Sequence, residues 1–310
     1  MGGLIMLINT VLVFLQNILP IFVVFSLLFA QQDARYKSRT MEASQLNKQS
    51  NKNEKNNLDY LPITYLLTTT GIGLIIVFLL SYYMPRLSQL LSGTGLEILF
   101  SILFSLIYCF IVISFLLHKT SSLKQWQDKT FFDQQTLTQQ KALLSLAILL
   151  LVFCVHGSYF SLYVMSLTIQ NTALDTLYSG IVVGVIIGTG ICLSIAILLY
   201  FILITLAKKL RRQIVCYFLL LFGIGQLIQG LQLLEQVDII SSNAHLWNTN
   251  YLIAEDSELG YFLTILFGYE ATPSAMELIV YLSAIIVPIF IVKIITYKQN
   301  STASFMKGTS

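Results

Sequence analysis

The chain is 310 residues long, 56% hydrophobic and only 11% charged, with a formal net charge of +3. A water-soluble domain carries about 25% charged residues, so this chain cannot cover a soluble surface and most of it must lie in lipid. Its basic residues are few and scattered, which leaves a nucleic-acid partner without support.

A helix needs roughly 20 apolar residues to cross a bilayer. Seven runs qualify: 4–30, 61–84, 95–117, 142–168, 178–207, 213–234 and 274–297. The first has no basic region before it and is too long for a signal peptide, so it reads as a true span. Residues 31–60 follow it, rich in Gln, Asn, Lys and Ser, and read as a flexible loop. The fourth run contains FCVHGSYF, 153–160, where His156, Gly157, Ser158 and Tyr159 interrupt an apolar stretch. The fifth carries Gly180, Gly184 and Gly188, a spacing of four that lines one helix face and admits a neighbouring backbone. In the sixth, Gln226, Gln229, Gln232 and Glu235 stand three apart and form one polar ridge. That ridge serves either helix–helix hydrogen bonding, at about 0.6 kcal/mol per contact, or one wall of a polar cavity.

Residues 235–273 form a long loop whose Trp247, Tyr251, Tyr261, Phe262 and Phe267 suit a structured cap at the membrane interface. At the seventh run, Pro273 fits a first helical position, and Ser274 with Glu277 has capping-box spacing. Cys109, Cys154, Cys192 and Cys216 all sit inside apolar runs and match neither a zinc site nor a disulfide framework. His118, His156 and His245 fall at different depths and sides, and no nucleophile–base set or phosphate loop is present, so an enzyme is not expected.

Seventeen of the eighteen Lys and Arg residues fall on one side of seven alternating crossings, with only Arg86 opposite. The positive-inside rule then places the N-terminus outside and the C-terminus in the cytoplasm. Nine of the fifteen acids lie at or beyond the outer ends, among them Asp175, Glu235, Asp238, Glu270 and Glu277. They are either simply free to be outside or form a weak cation-attracting mouth.

Three stretches carry a family resemblance. LGYFLTILFGYEATPSAMELIVYL (259–282) resembles the closing segment of the high-affinity, oxidase-coupled iron permeases, where a Phe-Gly-Tyr and Pro-Ser pattern leads into the last helix. GIGQLIQGLQLLEQVDII (223–240) resembles the sixth helix of that family, and GTGICLSIAILLYFILITLAKKLRRQ (188–213) its fifth helix and basic turn. Trp247 falls where the family's outer loop usually has a tryptophan. The resemblance covers roughly 140–297, and the first three helices match by layout.

That resemblance implies an all-α membrane protein in the cytoplasmic membrane. It would have two inverted three-helix repeats followed by a seventh helix, with the site between the repeats near mid-membrane. The family carries an Arg-Glu-x-x-Glu motif in helices one and four, whose carboxylates share a helix face and supply hard oxygen ligands for iron in transit. Here Val155 stands at the Arg position, His156 at the first Glu and Tyr159 at the second, while helix one offers Leu15, Gln16, Asn17, Ile18 and Leu19 before Pro20. No acid occurs in 1–32 or 134–174, so both motifs are missing.

Two expectations follow. One is a permease-like transporter of iron or another metal cation, its path lined by Gln16, Asn17, His156, Tyr159 and the sixth run's Gln226, Gln229 and Gln232, with His156 as a metal ligand. The other is a permease-like subunit that has lost conduction and assembles with a paralogous permease or a larger membrane complex. No cofactor is expected under either; iron would be a substrate.

Overall fold

A computed structural model describes residues 2–46, 63–89, 93–124, 131–170, 174–210, 213–241, 245–255 and 257–307. The described chain is helical: α1 Gly2–Leu46, α2 Ile63–Ser88, α3 Gly95–Lys124, α4 Phe131–Gln170, α5 Leu174–Lys209, α6 Ile214–Gln236, α7 Glu258–Phe267 and α8 Ala275–Lys307. Among the described residues the only β pairing is one bridge between His245 and Ser274. All of these helices except α7 are long and apolar enough to cross a membrane, over Met6–Asp33, Thr68–Ser88, Gly95–Lys119, Gln139–Leu167, Gly180–Lys209, Ile214–Gln236 and Ala275–Tyr297. The chain is an all-helical, multi-pass membrane protein.

Helix α1 runs on through Leu46, into the polar segment 31–60 expected as a loop. Residues 31–46 contain Gln, Arg, Lys, Met, Glu, Ala and Leu with no Gly or Pro, so helix propensity extends the span once it is nucleated in the membrane. Residues 47–60 lie outside the described residues.

The chain forms two compact units. One comprises Met1–Leu96 and Leu146–Leu219; the other comprises Glu97–Ser145 and Leu220–Ser310. In the first, α1 packs along the glycine stripe of α5. A Cβ on Gly180, Gly184 or Gly188 would meet Met6, Thr10 and Phe14 in turn, so a ridge spaced by four on α1 fills the groove spaced by four on α5. Ser26 Oγ continues the seam by donating to Ala196 O at 2.8 Å. Helix α2 meets α4 where Gly73 faces the Phe153 ring and Gly157 faces Val77. One turn further along α4, Ser81 Oγ donates to Ser161 Oγ at 2.7 Å. Replacing Ser161 by Ala lowers thermal stability by about 0.6 kcal/mol and no more than about 1.7, as read from unfolding in mild detergent, because interhelical hydrogen bonds in membranes are individually weak.

In the second unit α6 is enclosed, with 67% of its span buried, against 11% for α8. Its small residues admit neighbours on two sides. Gly223 and Gly230 face Ile111, Phe104 and Ser101 of α3, while Gly225 faces α7. Tyr108 of α3 donates from its hydroxyl to Ala284 O of α8 at 3.0 Å. The outward face of α8, with Ile279, Ile286 and Phe290 exposed, is left for lipid.

The segment expected to lie as a cap at the interface instead enters the bundle. Ser257 caps α7, its side chain accepting from Gly260 N at 3.0 Å. After ten helical residues the helix ends at Gly268, in the left-handed region at φ 65°, whose N–H donates to Thr264 O at 2.8 Å. Gly268 packs directly on Gly225, where a Cβ added to Gly268 would lie 2.9 Å from Gly225 Cα. Gly225 is at the middle of the α6 span, about 16 Å from its Gln236 end at 1.5 Å per residue. Helix α7, about 15 Å long on the same basis, is therefore a re-entrant half-helix. Residues 269–273 carry the chain back up to α8.

Irregular backbone at such depth persists only where protein or a water-filled cavity satisfies it. Here protein supplies partners. Thr264 Oγ1 donates to Tyr269 O at 2.7 Å, and Thr249 bonds Ala271 O through both its N–H at 2.8 Å and its Oγ1 at 3.0 Å. Leu246 N donates to Pro273 O at 3.0 Å.

Candidate functional site

The expected site residues fall in two places, one in each unit. In the first unit, α1 meets α4 through Phe14 and Phe160, edge to face with ring centroids 5.1 Å apart. One turn nearer the N-terminus of α1, Thr10 Oγ1 lies 3.3 Å from the Tyr163 hydroxyl. Thr10 is fully buried, and its Oγ1 also donates to Met6 O at 2.9 Å. His156, Val155 and Ser158 are buried in α4, with Ser158 Oγ donating back to Cys154 O. Gln16, Asn17 and Tyr159 are half-buried. Asn17 turns its amide onto its own helix, donating to Val13 O at 2.8 Å. Pro20 has no N–H, so it leaves the Gln16 carbonyl without its helical donor.

This contact therefore offers rings, hydroxyls and amides but no formal charge. Among the described residues, no three His, Cys, Asp or Glu side chains come together in a set able to hold a metal ion.

The second place is the head of the re-entrant segment. Glu235, Glu270 and Glu277, expected as parts of an acidic mouth, do come together here. Ser274 and Glu277 form the reciprocal capping box their spacing predicts. Ser274 N donates to Glu277 Oε2 at 2.7 Å, and Glu277 N donates to Ser274 Oγ at 3.2 Å. Pro273 precedes this cap and stands one place before the N-cap rather than at the first helical position. Ser274 Oγ reaches on to Glu235 Oε1 at the end of α6, at 3.2 Å, with His245 close by.

Glu270, on the rising arm, lies beside Glu277 and beside Gln232, one turn below Glu235. Its Oε2 is sealed from solvent with no donor reaching it. Burial first, and the Glu277 carboxylate second, push the Glu270 carboxyl up to about 8.

The remaining candidates stay apart. Asp238 is exposed in the turn after α6, at φ 56°, a left-handed position that Asp tolerates. Asp175 lies in α5, but its side chain falls outside the described residues. Of the α6 ridge, Gln226 is fully buried, Gln229 is half-buried and Gln232 lies beside Glu270.

The re-entrant turn was the feature that sequence reasoning missed. Its signal is an apolar stretch, 259–267, too short to span a bilayer and ended by glycine. Against protein-family models, curated proteins and solved structures, the chain has no match.

Proposed function

We propose that this chain is a permease-like membrane protein whose α1–α4 contact does not conduct iron, and that it serves as a non-conducting subunit beside a paralogous permease or within a larger membrane complex. The observation that supports this reading is the uncharged, ring-filled contact of Phe14, Phe160, Thr10 and Tyr163. A multivalent ion in low dielectric needs counter-charge that such groups do not supply.

In this reading the N-terminus is outside and the C-terminus cytoplasmic, as the basic residues favour. Two inverted repeats, α1–α3 and α4–α6, precede α8. The partition of the chain supports the repeats: α1, α2, α5 and most of α4 fall in one unit, while α3 and most of α6 fall in the other. The first two helices of each proposed repeat thus group together, and so do the third.

A second reading keeps inward transport of iron or another metal cation past Gln16, Asn17, His156 and Tyr159, with His156 as ligand. Its support is the half-helix α7, since transporters build sites from interrupted helices and unwound backbone.

Native mass measurement after mild extraction separates the two. The subunit reading expects a species heavier than the 34.9 kDa chain that retains a second polypeptide. A lone chain that is active in metal uptake removes it.

A further inference from the structure

We propose that the basic end of the first unit, where α1, α5 and the start of α6 meet, is a docking site for the headgroup of an anionic phospholipid. The inference concerns that unit alone and holds under either reading of function.

Packing brings basic residues from distant segments to one level. Along α5, Gly180, Gly184 and Gly188 face Met6, Thr10 and Phe14 of α1 in turn, and Ala196 O accepts from Ser26. Both series ascend, so the two helices run parallel, with partners 174 residues apart at Gly180 and 170 apart at Ala196. Carried to the end of α5, that offset sets Lys208 and Lys209 level with residues 34–39 of α1, the stretch that holds Arg35, Lys37 and Arg39. A second contact supports the same placement. Gln31 Nε2 donates to Cys216 Sγ at 3.3 Å, with both side chains buried, so α1 ends its span against the first turn of α6. Arg211 and Arg212 fall in the sequence between α5 and α6. Residues 31–39 and 208–216 together carry seven Lys and Arg against a single acid, Asp33, and all belong to the first unit.

Lys208 and Lys209 are exposed, and neither meets an acid among the described residues. In the turns of α5 before them, Leu198, Phe201 and Ile202 are exposed as well. An occupant that fits must place negative charge at the lysines and hydrocarbon along the helix beside them. A phospholipid does both, because its phosphate lies where a spanning helix leaves the hydrocarbon and its acyl chains cover the apolar face. Clustered Lys and Arg at such a level attract anionic headgroups, and lysine stems lie on apolar surface while their ammonium groups reach the phosphates. A free anion would satisfy the charge alone.

The test is native mass spectrometry of the full chain in mild detergent, titrated with cardiolipin or with phosphatidylcholine. Cardiolipin is expected to bind at least tenfold more tightly, given several basic residues at the headgroup level. Lys208→Gln with Lys209→Gln is expected to lower cardiolipin affinity at least fivefold, and so is Arg35→Gln with Lys37→Gln and Arg39→Gln. Lys293→Gln with Lys298→Gln, which removes two charges from α8 instead, is expected to leave it within twofold. Excess inorganic phosphate at constant ionic strength is expected to leave the lipid bound. Equal affinity for the two lipids overturns the proposal. So does an equal loss from the α8 pair, which would reduce the effect to net charge, and so does a loss confined to one of the two stretches, which would leave no shared site. Displacement by inorganic phosphate overturns it too, since the ligand would then be a free anion.

Discussion

Gly268→Ala is expected to be strongly damaging, lowering unfolding stability by about 3 kcal/mol or abolishing folded yield. Two independent costs add. A left-handed backbone costs an L-residue roughly 1–2 kcal/mol, and Gly268 sits at φ 65°. The new Cβ would also lie 2.9 Å from Gly225 Cα and 3.4 Å from Gly225 N. Backbone cannot swing aside as a side chain can, so overpacking adds roughly 1–3 kcal/mol. Gly225→Ala tests the other side of the same contact without the dihedral cost, since its Cβ would meet Gly268 N at 3.0 Å. It should lose about half as much. Gly190→Ala is the control: nothing lies within 4 Å of its Cβ, and the substitution should leave thermal unfolding in detergent unchanged.

The second large effect is at the α1–α5 seam. Gly188→Ala would set a Cβ 2.5 Å from Phe14 Cδ1. The Phe14 ring cannot move freely, because Phe160 holds it edge-on from α4. The expected loss is about 2 kcal/mol. A double-mutant cycle gives the mechanism: in a Phe14→Ala background, the added methyl has room and Gly188→Ala should cost little, a coupling of about 1–2 kcal/mol. Additive losses would show that the seam does not close as described.

What the sequence made legible was whatever depends on periodicity and length. Apolar runs marked the seven helices that are long and apolar enough to cross a membrane, because lipid demands such length. The spacing of Gly180, Gly184 and Gly188 announced a close helix contact, and α1 occupies it. Ser274 and Glu277 announced a capping box, and it forms.

What stayed hidden depends on partners distant in the chain. Gly268 and Gly225 are 43 residues apart, and neither alone says that the other is its neighbour. Without that contact, α7 reads as an interfacial cap. In the same way Glu270 looks like one of several outer acids until the rising arm brings it to Glu277 and Gln232. The polar residues after Ala30 looked like a loop because composition reports solubility more directly than it reports helicity. Their propensity carried α1 on to Leu46.

The central claim is that uncharged, ring-filled packing between α1 and α4 leaves no route for iron. Uptake of radiolabelled iron into proteoliposomes, offered separately as the ferrous and the ferric ion, tests it most directly. The account predicts accumulation no greater than in protein-free vesicles for both ions. Saturable uptake above that background, abolished by His156→Ala with the fold intact, would contradict it.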